Sequence, residues 1–228
     1  MSSNVSTSNV VVEENTNMIG FDPDAVRKSL NQIQVIYNEL VSSYVDHTSK
    51  FMYNMSYSWA CPDAVDFFRN VFCPEFNSYL IGIDSSIENI FNTINYAARS
   101  WSDTTNLPYS TINFVRFPHN SFDAANMRSS INGRVGIEGS ACQEHLNILN
   151  KINNMINASL NSIMNVLRNA SFVGNGQQQS LIQKVNSIKN KINESFSDIV
   201  VEIKSQINVT IEKYNLTARN VASSFTSI

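Results

Sequence analysis

The chain is short of cysteine, glycine, proline and charge, and each shortage excludes something. Three cysteines are an odd number and give no disulfide framework. Cys61 and Cys73 are twelve positions apart near the start of one helix. Straight helix would separate them by about 18 Å, against a limit of roughly 7 Å for a bridge, so free thiols are expected. Seven glycines and five prolines in 228 residues leave room for long uninterrupted helices. Charged residues make up 15% and the formal net charge is −3, which provides no basic field for nucleic acid or an anionic membrane. No apolar run approaches the roughly 20 residues a bilayer span requires. No helix carries the basic amphipathic face that a membrane-acting toxin needs.

Chemistry-bearing residues are equally sparse. The three histidines, His47, His119 and His145, stand in no catalytic or zinc-peptidase spacing. Cys142 and His145 share one face of a helix start, but no second pair completes a metal site. Asp22, Asp24 and Asp63 read as helix-start acids rather than catalytic carboxylates. Gly174-Asn-Gly176 lacks the Lys and Ser/Thr of a phosphate loop and reads as a turn. Asn-X-Ser/Thr triplets at Asn54, Asn157 and Asn208 follow from the abundance of Asn and are not read as glycosylated. The expectation is a protein with no catalytic residues, no metal and no cofactor.

What is abundant is apolar residue, 43% of the chain, laid out at helical spacing. Residues 1–19 have neither the basic start nor the apolar block of a secretory signal and read as a flexible N-terminal arm, in which Val10-Val11-Val12 could pair with another element. Asp22-Pro23-Asp24 predicts a helix start: a capping acid, a proline in the first turn and an acid at the positive end of the dipole. Val26, Leu30, Ile33, Tyr37, Leu40, Tyr44, Phe51 and Met55 form one stripe, predicting a helix to about Ser56, about 50 Å long. Pro62-Asp63 restarts a helix through Val65, Phe68, Phe72, Leu80, Ile83, Ile87, Ile90, Ile94, Ala98 and Trp101, which Pro74 must kink or break. Further stripes predict helices from about Ser140 to Asn169 and from about Gln177 to Phe225. Residues 105–134 read as a linker with an extended stretch at Thr111–Phe117 and a helical turn around Asp123 to Ser130, packed on the helices.

The layout repeats once, about 115 residues apart. Gly20-Phe21-Asp22 aligns with Gly136-Ile137-Glu138. Leu30, Ile33, Ile36 and Leu40 align with Leu146, Leu149, Ile152 and Ile156. Trp59-Ala60-Cys61 aligns with Phe172-Val173-Gly174, and Phe68, Phe72, Ile90, Ile94 and Trp101 with Leu181, Val185, Ile203, Ile207 and Tyr214. The period is far too long for a solenoid unit. It predicts two copies of one helical hairpin, at 20–104 and 135–228, as if a dimer had been fused.

The segment Ser58-Trp59-Ala-Cys-Pro62-Asp-Ala64-Val-Asp-Phe67-Phe68 resembles the Trp-x-x-Pro-x-Ala-x-x-Phe variant of the Trp-X-Gly (WXG) family of type VII secretion substrates. Ser171-Phe172-Val-Gly174-Asn-Gly176 offers a second copy with Phe in place of Trp, while Cys61 replaces the motif Gly in the first. The resemblance implies an all-α fold, two tandem long hairpins packed as an antiparallel four-helix bundle with Trp59 and Phe172 at opposite ends. It implies a non-enzymatic protein, a secreted substrate or carrier, working through protein–protein contacts with the secretion machinery or a co-secreted client. It implies export without a cleaved signal, or a cytoplasmic stay before export. Trp59, Cys61, Pro62, Phe172 and Gly174 would form the turn motif and partner groove. In that family the groove lies near a partner's Tyr-x-x-x-Asp/Glu signal; here Tyr96 is followed four later by Ser100, and Tyr214 by Ala218. The dense aromatics Phe67, Phe72 and Phe76 around Pro74 read as a candidate exposed apolar patch for a partner. A cytoplasmic helical scaffold or adaptor unrelated to export is the alternative.

Overall fold

The computed structural model describes residues 20–169, 172–173 and 177–226. The N-terminal arm and Gly174 lie outside these described residues. The described residues are all-α, and the strands among them are each two residues long. In chain order the elements are β1 (Gly20–Phe21), α1 (Pro23–Ser58), β2 (Trp59–Ala60), α2 (Pro62–Phe67), a π-helical turn (Phe68–Phe72), α3 (Cys73–Thr105), β3 (Gly136–Ile137), α4 (Gly139–Asn169), β4 (Phe172–Val173) and α5 (Gln177–Thr226).

Local chemistry sets the helix starts. Asp22 caps α1: its Oδ1 accepts from the backbone N–H groups of Asp24 (2.9 Å) and Ala25 (3.2 Å), and Pro23 follows where no N–H is needed. At the second start the cap is a thiol, Cys61 Sγ accepting from Ala64 N–H at 3.4 Å, again with proline next.

The stripe read on α1 is buried along its whole length, and so are Leu146, Leu149, Ile152, Ile156, Leu160, Ile163 and Leu167 of α4. The most extensive packing is of α1 on α4, followed by α4 on α5 and then by α3 on α5. Gly139 marks one close approach, since a Cβ there would lie 2.5 Å from Ile211 Cδ1 of α5. Among the described residues no helix is long and apolar enough to cross a membrane.

Pro74 neither breaks the helix nor ends it. The turn before it widens, with Cys73 N–H reaching back five residues to the Phe68 carbonyl. Residues spaced at i, i+4 drift about 40° per step around a regular α-helix. The wider turn takes some of that drift back, so Ala64, Phe68, Phe72, Phe76 and Leu80 all face inward.

The strand pairs join the two repeats reciprocally. Gly20 and Phe21 pair antiparallel with Val173 and Phe172; Trp59 and Ala60 pair antiparallel with Ile137 and Gly136. The lead-in of each copy is therefore bonded to the turn of the other. α1 begins beside the end of α4 and ends beside its beginning.

Between α3 and β3 the chain runs back along the molecule. Asn106 ends α3 in the left-handed conformation (φ 58°). Residues 107–122 have no regular secondary structure, and Ile112 and Phe114 point inward while Asn113 and Val115 point out. The helical turn expected around Asp123–Ser130 is instead one tight turn, Met127 N–H to Ala124 O at 3.0 Å. Asp123 Oδ1 takes the Ala125 N–H and diverts the backbone from helix. A two-residue hairpin follows, Ile131 bridged to Arg134, with Asn132 (φ 51°) and Gly133 (φ 74°) in the positive-φ positions it needs.

Candidate functional site

The strongest concentration of sequence-selected residues is the end of the molecule around Trp59. Its indole is 1% exposed, stacked on Phe67 at 5.7 Å and edge-on to Phe68 at 5.9 Å. Phe51, Phe68, Phe72 and Phe76 continue this aromatic column, and Tyr79 carries it to Phe196 of α5. Trp59 is thus a buried plug where α1 ends. Its Nε1 has no hydrogen-bond partner among the described residues.

Backbone and side chains knit this end together from four segments. Ser58 O accepts from Glu138 N–H at 2.7 Å and from the Cys142 thiol at 3.5 Å, while Ser58 Oγ lies 2.9 Å from His145 Nε2. From α5, Lys213 Nζ meets Asp63 Oδ2 at 2.6 Å. Burial, and then the neighbouring Cys61, push the Tyr214 hydroxyl above its ordinary pKa. Two shallow grooves flank the β2–β3 pair. One, about 640 Å³, is lined by Tyr57, Ala60, Ile131, Arg134 and Gly136; the other, about 410 Å³, by Ile137, Gln143, Ile211 and Tyr214.

Cys61 is buried and Pro62 exposed on the turn. Phe172 is paired to Phe21 through its backbone at the other end of α4. Phe67, Phe72 and Phe76 are 7%, 1% and 0% exposed, so they belong to the core rather than to a surface patch. The π turn accounts for this, because it holds consecutive aromatic rings on the inward face. The apolar groove near Pro74 is lined instead by Tyr79, Gly82, Ile188, Ile192 and Ile199, with a volume of about 670 Å³.

All three cysteines are free and buried. Burial raises the thiols of Cys73 and Cys142 to about 12, reinforced by Asp123 and Glu138 respectively. Cys142 and His145 both engage Ser58, and among the described residues no three His, Cys, Asp or Glu side chains converge on a common point.

Sequence reasoning missed a second polar cluster. Asp84 is 4% exposed on the inward stripe of α3. Tyr44 Oη donates to its Oδ1 at 3.1 Å, and His119 Nε2 lies 3.0 Å from both Asp84 Oδ2 and Tyr44 Oη. A carboxylate oxygen accepts, so Nε2 is the donor side of the ring toward Asp84. Burial, and then Asp84, hold the Tyr44 hydroxyl protonated and push Tyr37 up to about 12. The available signal was a carboxylate between Ile83 and Ile87, where a core stripe has no use for a charge. Its partner was not foreseeable, since His119 arrives from the linker.

Compared with protein-family models, with curated proteins and with solved structures, the chain matches none.

Proposed function

We propose that this chain is a single-chain counterpart of a Trp-X-Gly hairpin dimer, a non-enzymatic protein that works through protein–protein contacts as a type VII secretion substrate or carrier. In this reading α1 with α2–α3 is one hairpin, α4 with α5 the other, and the two form an antiparallel four-helix bundle. The observation that carries it is the reciprocal pairing of Gly20-Phe21 with Phe172-Val173 and of Trp59-Ala60 with Gly136-Ile137. Two identical subunits related by a two-fold axis make such exchanged contacts by necessity. Here the exchange occurs between repeats of one chain, at a high effective concentration.

Two further features support a role built on contacts. The Lys213–Asp63 pair draws α5 to the Trp59 turn, where the family places its export signal. Beyond Thr210 no described side chain of α5 is buried, and Val221 and Phe225 are exposed on one side of the helix. One observation favours the alternative, a cytoplasmic scaffold: the helix carries Ala218 where a Tyr-x-x-x-Asp/Glu signal starting at Tyr214 needs an acid.

Fractionation of cultures with and without the type VII ATPase separates the readings. Protein in the medium that vanishes with the ATPase supports export or carriage. Protein confined to the cytosol in both strains sinks that role and leaves the scaffold. Co-purification of neighbouring gene products with the untagged chain identifies the client.

A further inference from the structure

We propose that the seam between α1 and α3 is a binding groove for an extended polypeptide, that residues 109–122 of the chain are its resident occupant, and that an extended segment of a partner protein takes their place. This inference goes beyond the secretion reading and holds whether or not the chain is exported.

The seam reads backbone. Three side-chain amides each bond both the N–H and the C=O of one residue in the extended segment. Asn95 donates to Ile112 O (2.6 Å) and accepts from Ile112 N–H (3.2 Å). Gln34 does the same at Val115 (2.8 and 2.9 Å), and Asn77 at Phe122 (2.7 and 2.9 Å). A primary amide offers a donor and an acceptor side by side, the same two-point complement that a neighbouring β-strand provides. Such pairing accepts any residue with a free N–H, and recognition of an extended peptide by main chain plus alternate side-chain pockets is a general mode.

The pockets are also present. Phe114 enters between Tyr37 (4.7 Å) and Phe91 (5.3 Å), and Phe122 meets Phe76 at 6.4 Å. Polar sites fix the register: Arg116 Nε bonds Glu88 at 2.8 Å, and His119 reaches Asp84 and Tyr44. Among the described residues, 109–122 make no backbone–backbone hydrogen bond, so these directional bonds run to α1 and α3.

A linker from the end of α3 to β3 must return along the length of the helices in any case. That topology requires a path but does not require amide pairs and aromatic pockets along it. The second repeat shows the difference. By the register that aligns Ile33 with Leu149, Phe72 with Val185 and Ile90 with Ile203, the pocket residues Tyr37, Phe76 and Phe91 correspond to Asn153, Lys189 and Lys204. There the α4–α5 seam closes on itself, Asn157 and Asn193 exchanging two amide bonds at 2.7 and 3.1 Å. Only the first hairpin is built to hold a strand. The expected occupant carries an apolar-x-aromatic core in place of Ile112-Asn113-Phe114, no proline at the three clamped positions, and a basic residue two after the aromatic.

The test uses the full chain with Phe114→Asp, which weakens the resident segment and leaves the seam intact. The probe is a fluorescent peptide of residues 109–122, followed by anisotropy. The variant should bind it at least tenfold more tightly than the parent chain. Adding Asn95→Ala to the variant should abolish the gain, and a scrambled peptide should not bind. If Phe114→Asp fails to fold by circular dichroism, Phe114→Ala replaces it. On the parent chain, saturating peptide should speed hydrogen exchange at Ile112 and Val115. No gain by a folded variant, a gain insensitive to Asn95→Ala, or unchanged exchange in the parent would overturn the proposal. So would a dimer in sedimentation that exchanges residues 109–122, which would make a second copy the occupant.

Discussion

Ile137 lies directly opposite Trp59 in an antiparallel pair, joining the lead-in of the second repeat to the turn of the first. The same relationship holds at the far end, where Phe21 lies opposite Phe172. Without these pairs the N–H and C=O groups of both turns would be left to water. Pairing them across repeats satisfies those groups and fixes the register of α1 against α4.

Replacement of Trp59 is the direct probe of this end. Its indole is enclosed by Phe67 and Phe68 with no hydrogen bond to lose, so the effect is one of volume. Trp59→Ala should cost about 3–5 kcal/mol in urea unfolding, and Trp59→Phe less than half of that. An alanine variant within about 0.5 kcal/mol of the parent would show that the indole is not the plug described.

Cutting the chain tests the relation between the repeats. The Asn132-Gly133 turn is exposed and lies in the linker between the repeats, just before β3. A protease site inserted there should yield two fragments that stay together on gel filtration, since α1 buries its stripe largely on α4. Separation of the nicked halves at micromolar concentration would mean that the linker, not the interface, holds the molecule together.

The helices were legible because their apolar stripes recur with helical period, and every predicted stripe position on α1 and α4 is buried. Asp22 and Pro23 announced one boundary by their chemistry. The reciprocal strand pairs were not legible, because Gly20-Phe21 and Phe172-Val173 are too short to show a period. The aromatic patch was misjudged for a similar reason: the shift introduced at Phe68–Phe72 depends on how the chain relieves the proline ring, and helical periodicity assumes regular turns. The linker showed its alternation at Thr111–Phe117, but its clamps, Gln34, Asn77 and Asn95, sit on helices where an amide looks like ordinary surface.

The buried carboxylate should be sensitive to truncation. Asp84→Ala leaves both the Tyr44 hydroxyl and the His119 imidazole without their acceptor, at about 1–3 kcal/mol for each group. Tyr44→Phe removes one donor while Asp84 keeps His119, and should cost about 1 kcal/mol. Thermal or urea unfolding measures both. Equal losses would indicate that His119 contributes nothing to holding the linker.

Alkaline conditions should unfold the protein through its buried phenols and thiols. Tyr37 is raised to about 12 by burial and then Asp84, Cys73 and Cys142 to about 12 mainly by burial, and Tyr44 and Tyr79 are raised further, burial again the main cause. In the unfolded chain such thiols lose their proton near ~8.5 and phenols near ~10. Below that range both states are protonated and these groups add their full share to stability. As pH rises the unfolded state releases protons first, so it binds fewer than the native state and stability falls through to about pH 12. The urea midpoint should therefore hold steady from pH 7 to 8 and decline from about pH 9. Phenolate absorbance of the buried tyrosines should rise only with the unfolding transition. A midpoint that stays flat or climbs to pH 11, or full phenolate absorbance in a still-folded chain, would mean that these side chains reach water in the native state.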